Sequence, residues 1–175
     1  MKVFILLILL LASVVFISGC ATTGKVADET SMVGSNVGNI APDFTVTTTD
    51  GKIVKLADFV GEKPLLLYFG ATWCSSCWAD LGIAKKVYPE FQEKVGFQYV
   101  SLDLGEDENI ISNYKTKRGY TWDLASGSQK ILKDYNAVTT TTKYAINRKG
   151  KIIYKGYGVF EEKDWRNLFT ALLES

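Results

Sequence analysis

Pro64-Leu65-Leu66-Leu67-Tyr68-Phe69-Gly70-Ala71-Thr72-Trp73-Cys74-Ser75-Ser76-Cys77 is the stretch that decides the fold. Its first half is a continuous apolar run bounded by Pro and Gly, the pattern of a strand buried on both faces. Its second half places two cysteines three residues apart where the next helix should open. At a helix N-terminus the free N–H groups and the dipole stabilise a thiolate, so Cys74 is the expected nucleophile. Cys77 lies one turn further in, within reach of the Cys74 sulfur, and is the expected resolving thiol.

Three plainer readings compete. A structural disulfide closing so short a loop would contribute only about 2 kcal/mol on the chain-entropy model, a poor staple for a domain with its own core. Half a metal site would need further Cys or His ligands, but the chain has three cysteines and no histidine, so no metal is expected. Two inert buried thiols would tend to oxidise in an oxidising compartment. The lack of histidine also excludes Cys–His and Ser–His hydrolases, which need an imidazole base.

Working outward, Val46 to Val54 holds Asp50-Gly51 between two alternating runs, a hairpin signal. After the cysteines, Trp78, Leu81, Val87, Tyr88 and Phe91 recur at roughly helical spacing, with Pro89 expected to interrupt. Residues 97–102 read as a second central strand, 107–117 as a helix, 122–124 as a short strand and 128–135 as a short helix. Residues 143–147 and 151–155 flank Arg148-Lys149-Gly150 as a second hairpin. Trp165, Leu168, Phe169 and Leu172 mark an amphipathic last helix. This order implies an α/β domain, with helices on both faces of a mixed sheet and an N-terminal β-hairpin.

The N-terminus reads as an address. Lys2 precedes an apolar run of about 15 residues, short for a spanning helix of about 20, and the run ends Ile17-Ser18-Gly19-Cys20. Residues 1–19 are expected to be a lipoprotein signal peptide, with Cys20 acylated; the competing reading is an uncleaved anchor helix. Residues 20–36, small and polar, are expected to be a lipid-anchored flexible tether, and 37–175 the folded domain. Lys2 is the one charged residue of the first 19, so the remainder carries 19 basic against 19 acidic residues. That balance offers no electrostatic case for nucleic acid.

The chain resembles the thioredoxin superfamily, and more closely its TlpA/ResA-like membrane-tethered branch. The resemblance rests on Ala41-Pro42-Asp43-Phe44, Asp50-Gly51-Lys52, the block from Tyr68 to Cys77, Tyr135-Asn136-Ala137-Val138, and Ala145 to Lys151, and it spans about residues 37–175. It implies a thioredoxin-like fold and an extracytoplasmic thiol–disulfide oxidoreductase with no cofactor beyond its redox-active Cys74–Cys77 pair. The implied partners are disulfide-bearing exported proteins, among them those of cytochrome c maturation, and a membrane thiol carrier of electrons; a monomer is expected. By position Trp73 matches a tryptophan that shields the pair, or is plain core. Asp80 falls where the branch often has a buried Glu that tunes the cysteines, or is a solvated helix acid.

Three departures stand out. Tyr68 occupies the place of a buried acid in cytoplasmic thioredoxins. Ser75-Ser76 lacks the usual proline between the cysteines. Thr141 stands where the family has a cis-proline, so the Thr140–Thr141 bond is either cis and strained or trans. A thiol peroxidase and a non-catalytic binding module are the competing functions. For the peroxidase, Thr72 is one place too close to Cys74.

Overall fold

The computed structural model describes residues 32–175. The expected signal peptide, Cys20 and most of the expected tether lie outside the described residues. The chain first forms a hairpin of β1 (Thr45–Thr47) and β2 (Ile53–Lys55). β3 (Leu65–Gly70) follows and leads into α1 (Ser75–Val87), then β4 (Gly96–Ser101), α2 (Glu108–Arg118), β5 (Asp123–Ala125) and α3 (Gln129–Asp134). A second hairpin, β6 (Thr142–Ile146) and β7 (Ile152–Gly156), precedes α4 (Glu162–Glu174).

The five-stranded sheet has the order β5-β4-β3-β6-β7. β3 is central and wholly buried, parallel to β4 and antiparallel to β6. Because successive side chains of a strand point to opposite faces, β3 feeds two cores. Leu66 and Tyr68 meet α1, α2 and α4 through Leu81, Ala84, Ile111, Trp165 and Phe169. Leu65, Leu67 and Phe69 meet the first hairpin and α3 through Val46, Val54, Ile131 and Tyr135. The expected mixed sheet with helices on both faces is therefore what forms. Each fully buried leucine of β3 contributes about 1.5–3 kcal/mol by leaving water.

Local sequence sets the ends. Pro89 closes α1 as expected: the helix stops at Val87 and gives way to a 3-10 turn, Tyr88–Glu90. Asp107 caps α2 by accepting from Ile110 N–H, and Ser128 caps α3 by accepting from Ile131 N–H. α2 ends at Gly119, whose φ of 63° suits a residue without a Cβ.

Both outer strands are covered in part. Gly38 N–H donates to Ile152 O, and Ile152 N–H donates to Asn39 O, which straps residues 38–40 along β7. Thr49 N–H donates to Leu124 O and lays the end of the first hairpin against β5. Among the described residues no helix is long and apolar enough to cross a membrane.

Candidate active site

Gly70 ends β3 with no room for a side chain: a Cβ there would stand 3.2 Å from Cys77 Sγ and closer still to the rings of Tyr68 and Tyr99. The chain then turns into α1 with Cys74 at the N-cap. Cys74 and Cys77 form a disulfide, with their Cα atoms 5.2 Å apart. Cys74 Sγ accepts from Cys77 N–H at 3.1 Å and lies 3.2 Å from Ser76 Oγ. The first turn of α1 carries no acidic side chain to oppose a thiolate there. Cys74 is 4% exposed and Cys77 is completely buried.

The loop before Cys74 is held by two acids from the chain that follows β4. Glu106 Oε1 accepts Thr72 N–H at 2.8 Å and the Thr72 hydroxyl, while Oε2 accepts the Ser101 hydroxyl. Asp103 Oδ2 accepts the Trp73 indole N–H at 2.8 Å. That bond and the Gly105 N–H hold the Asp103 carboxyl below its usual value. Trp73 itself is 63% exposed at the rim of the site, which sets aside its reading as plain core. The Trp78 indole N–H donates to Thr72 O, and Arg118 lies over its ring.

Asp80 is fully buried, not solvated, one turn beyond Cys77 on the same helix. Its Oδ1 accepts Phe160 N–H at 3.0 Å and Trp165 Nε1–H at 3.1 Å. Its Oδ2 accepts the Tyr68 hydroxyl at 3.1 Å and meets Lys143 Nζ at 2.6 Å. Four donors fill the acceptor positions of a carboxylate, the arrangement of an ionised acid. Burial nevertheless holds the Asp80 carboxyl above its ordinary value against the pull of Lys143, and holds the Lys143 ammonium below its own. Burial and the neighbouring carboxylate push the Tyr68 phenol far up, so it stays a donor.

Thr141 follows a trans bond, since there are no cis peptides among the described residues, and it takes φ 63°. This left-handed conformation is unusual for a β-branched residue. Its hydroxyl accepts Gly158 N–H at 2.8 Å, and its carbonyl accepts from Lys143 Nζ at 3.1 Å. Sequence reasoning named Asp80 and Thr141 but missed Lys143, which touches both, and also missed Glu106 and Asp103. A lysine near the start of a strand reads as surface, so Lys143 carried no signal. The acids of residues 103–106 read only as loop.

Fold and site together define a thioredoxin-like thiol–disulfide oxidoreductase, built around a cysteine pair at the mouth of a helix. The chain belongs to the AhpC/TSA family, whose model matches residues 37–155. It is 31% identical over 131 residues to the thiol-disulfide oxidoreductase ResA of Bacillus thuringiensis (strain Al Hakam), across 74% of this chain and 73% of the relative. It is 29% identical over 133 residues to the thioredoxin-like protein YneN of Bacillus subtilis (strain 168), across 75% of this chain and 78% of the relative. A thiol:disulfide interchange protein of Chlorobium tepidum TLS shares the fold with a TM-score of 0.67 at 21% identity, over 76% of this chain and 94% of that one.

Proposed function

We propose that this chain is an extracytoplasmic, membrane-tethered reductase of disulfides in exported proteins. The observation that carries this reading is the Cys74–Cys77 disulfide at the N-terminus of α1, with a buried carboxylate one turn beyond it. Cys74, at the N-cap, is the attacking thiolate. It bonds to one sulfur of the substrate disulfide and expels the other as a thiolate, which takes up a proton. Cys77 then loses its proton and attacks Cys74, which restores the disulfide and releases the second substrate thiol. The two electrons come from the dithiol, and a membrane thiol carrier restores it.

Asp80 supports the reducing direction. A carboxylate on the same helix face disfavours a thiolate at Cys77, and a pair whose reduced form is not stabilised is the stronger electron donor. Tethering through acylated Cys20 is supported by the Ser18-Gly19-Cys20 ending, and the cytochrome c maturation pathway by the resemblance to the TlpA/ResA-like branch. The Thr72 hydroxyl is committed to Glu106, so no observation favours a peroxidase in which it would serve Cys74. Equilibration of the isolated domain with glutathione tests the reading. A potential well below the glutathione range supports a reductase, and one well above it makes the protein an oxidant.

A further inference from the structure

We propose that Lys143 is a positioning residue that fixes the loop at Thr141 and joins it to Asp80 on the helix of the cysteines. The proposal rests on the reductase reading above and goes beyond it. Lys143 is fully buried at the start of β6. Its ammonium reaches three acceptors: Asp80 Oδ2 at 2.6 Å, Gly158 O at 2.6 Å and Thr141 O at 3.1 Å. An ammonium has three N–H donors and a neutral amine two, so this cage fits the charged form alone. The rings of Phe160, Trp165 and Tyr68 enclose the remaining space, with Phe160 nearest at 4.3 Å.

The consequence lies at Thr141. In the family a cis-proline fixes this loop; here the bond is trans and φ is 63°. Such a conformation persists only where surrounding structure over-determines it. Three bonds do so: Gly158 N–H to the Thr141 hydroxyl, that hydroxyl to Thr140 O, and Lys143 to the Thr141 carbonyl. The same ammonium is held in place by Asp80, one turn from Cys77. The helix of the cysteine pair and the loop that in the family receives substrate are thus joined through one side chain.

The other titratable groups facing the pair are Tyr68 from β3, Tyr154 from β7 and Tyr120 beyond α2. All three phenols are raised by burial and stay neutral through the thiol range. Asp164 of α4 faces Tyr154 and bonds Glu161 N–H.

Three variants of the full chain test the proposal: Lys143→Met, Asp80→Asn, and the two combined. Each is assayed with a protein disulfide and with a small aromatic disulfide, alongside thiol titration by absorbance and hydrogen exchange at the Gly158 amide. Asp80→Asn keeps an oxygen for the ammonium and both carbonyl bonds, so it should shift the thiol titration while keeping the protein-to-small ratio of rates. Lys143→Met should raise the thiol titration and lower that ratio roughly tenfold, because protein binding must then order the loop. The double variant removes the uncompensated carboxylate that would threaten folding of Lys143→Met. It should still show the lowered ratio and faster exchange at Gly158. An unchanged ratio and unchanged Gly158 protection in a folded double variant would overturn the proposal. Wild type without turnover on either disulfide would instead sink the reductase reading, and Gly158 exchange would still judge Lys143.

Discussion

The Tyr68 hydroxyl donates to Asp80 Oδ2 at 3.1 Å, bridging the central strand to the helix that carries the cysteines. A position that holds an acid in cytoplasmic thioredoxins holds a donor to an acid here, and the acid sits on α1 instead. Replacing Asp80 with Asn should therefore lower the thiol titration of the reduced pair by roughly one pKa unit, since a nearby anion no longer opposes the thiolate. Thiolate absorbance against pH checks it. No change would mean that the carboxylate does not sense the sulfurs.

Lys143→Met should destabilise the domain at neutral pH by about 3–5 kcal/mol, because it strands a buried carboxylate. The sign with pH follows from Asp80. Burial already holds its folded-state pKa above the unfolded value of about 3.9, and losing Lys143 raises it further. The penalty is absent below the unfolded pKa and appears as pH rises through the folded one. Urea midpoints of variant and wild type should converge as the pH is lowered; a deficit independent of pH would refute this account.

Glu106→Ala should cost about 1–3 kcal/mol, since Thr72 N–H and the buried Ser101 hydroxyl lose their acceptor. The loop that presents Cys74 would loosen with it. Slower alkylation of wild-type Cys74 than of the variant, together with a lower variant Tm, is the expected pair of results. A lower Tm with unchanged alkylation would confine Glu106 to stability.

Thr141→Pro should slow exchange with protein and small substrates alike and lower the Tm, because the pyrrolidine ring fixes φ near about −65° while the site requires 63°. Thr141→Gly should accept that φ freely yet lose the bond from Gly158, leaving stability within about 1 kcal/mol of wild type. Thermal melts and rates on both substrates decide. A proline variant that matched wild type would show that the loop also settles in another conformation.

Cys20→Ala should release the protein from membranes and leave disulfide chemistry of the soluble domain intact. Membrane fractionation checks it. Continued membrane attachment would point to the apolar run of residues 3–17 as the anchor.

Much of this was legible in the sequence because it depends on neighbours along the chain. β3 showed as an unbroken apolar run, the end of α1 as Pro89, and the cysteine pair as a spacing at a strand–helix junction. Asp80 was placed by its distance from Cys77, but its burial depends on Trp165 and Phe160, which arrive from the far end of the fold. Lys143 was illegible for the same reason: a lysine is buried only when a partner from another element waits for it, and nothing beside it in the chain announces Asp80. The left-handed Thr141 went unread because local preference argues against a β-branched residue there. Its bonds to Gly158, just past β7, and to Lys143 of β6 come from elsewhere in the fold and help it hold.

The straps along the two outer strands matter most where many copies crowd together. A bare strand edge is a template on which a second molecule can extend the sheet, and proteins held on one surface meet far more often than in dilute solution. Here the Gly38–Ile40 segment occupies the start of β7, and the first hairpin abuts β5 through Thr48 and Thr49. The sheet is thereby partly capped at both sides, β5 along Leu124 and Ala125 and β7 at Ile152, which shortens the bare ribbon on which copies packed side by side could grow into a fibre.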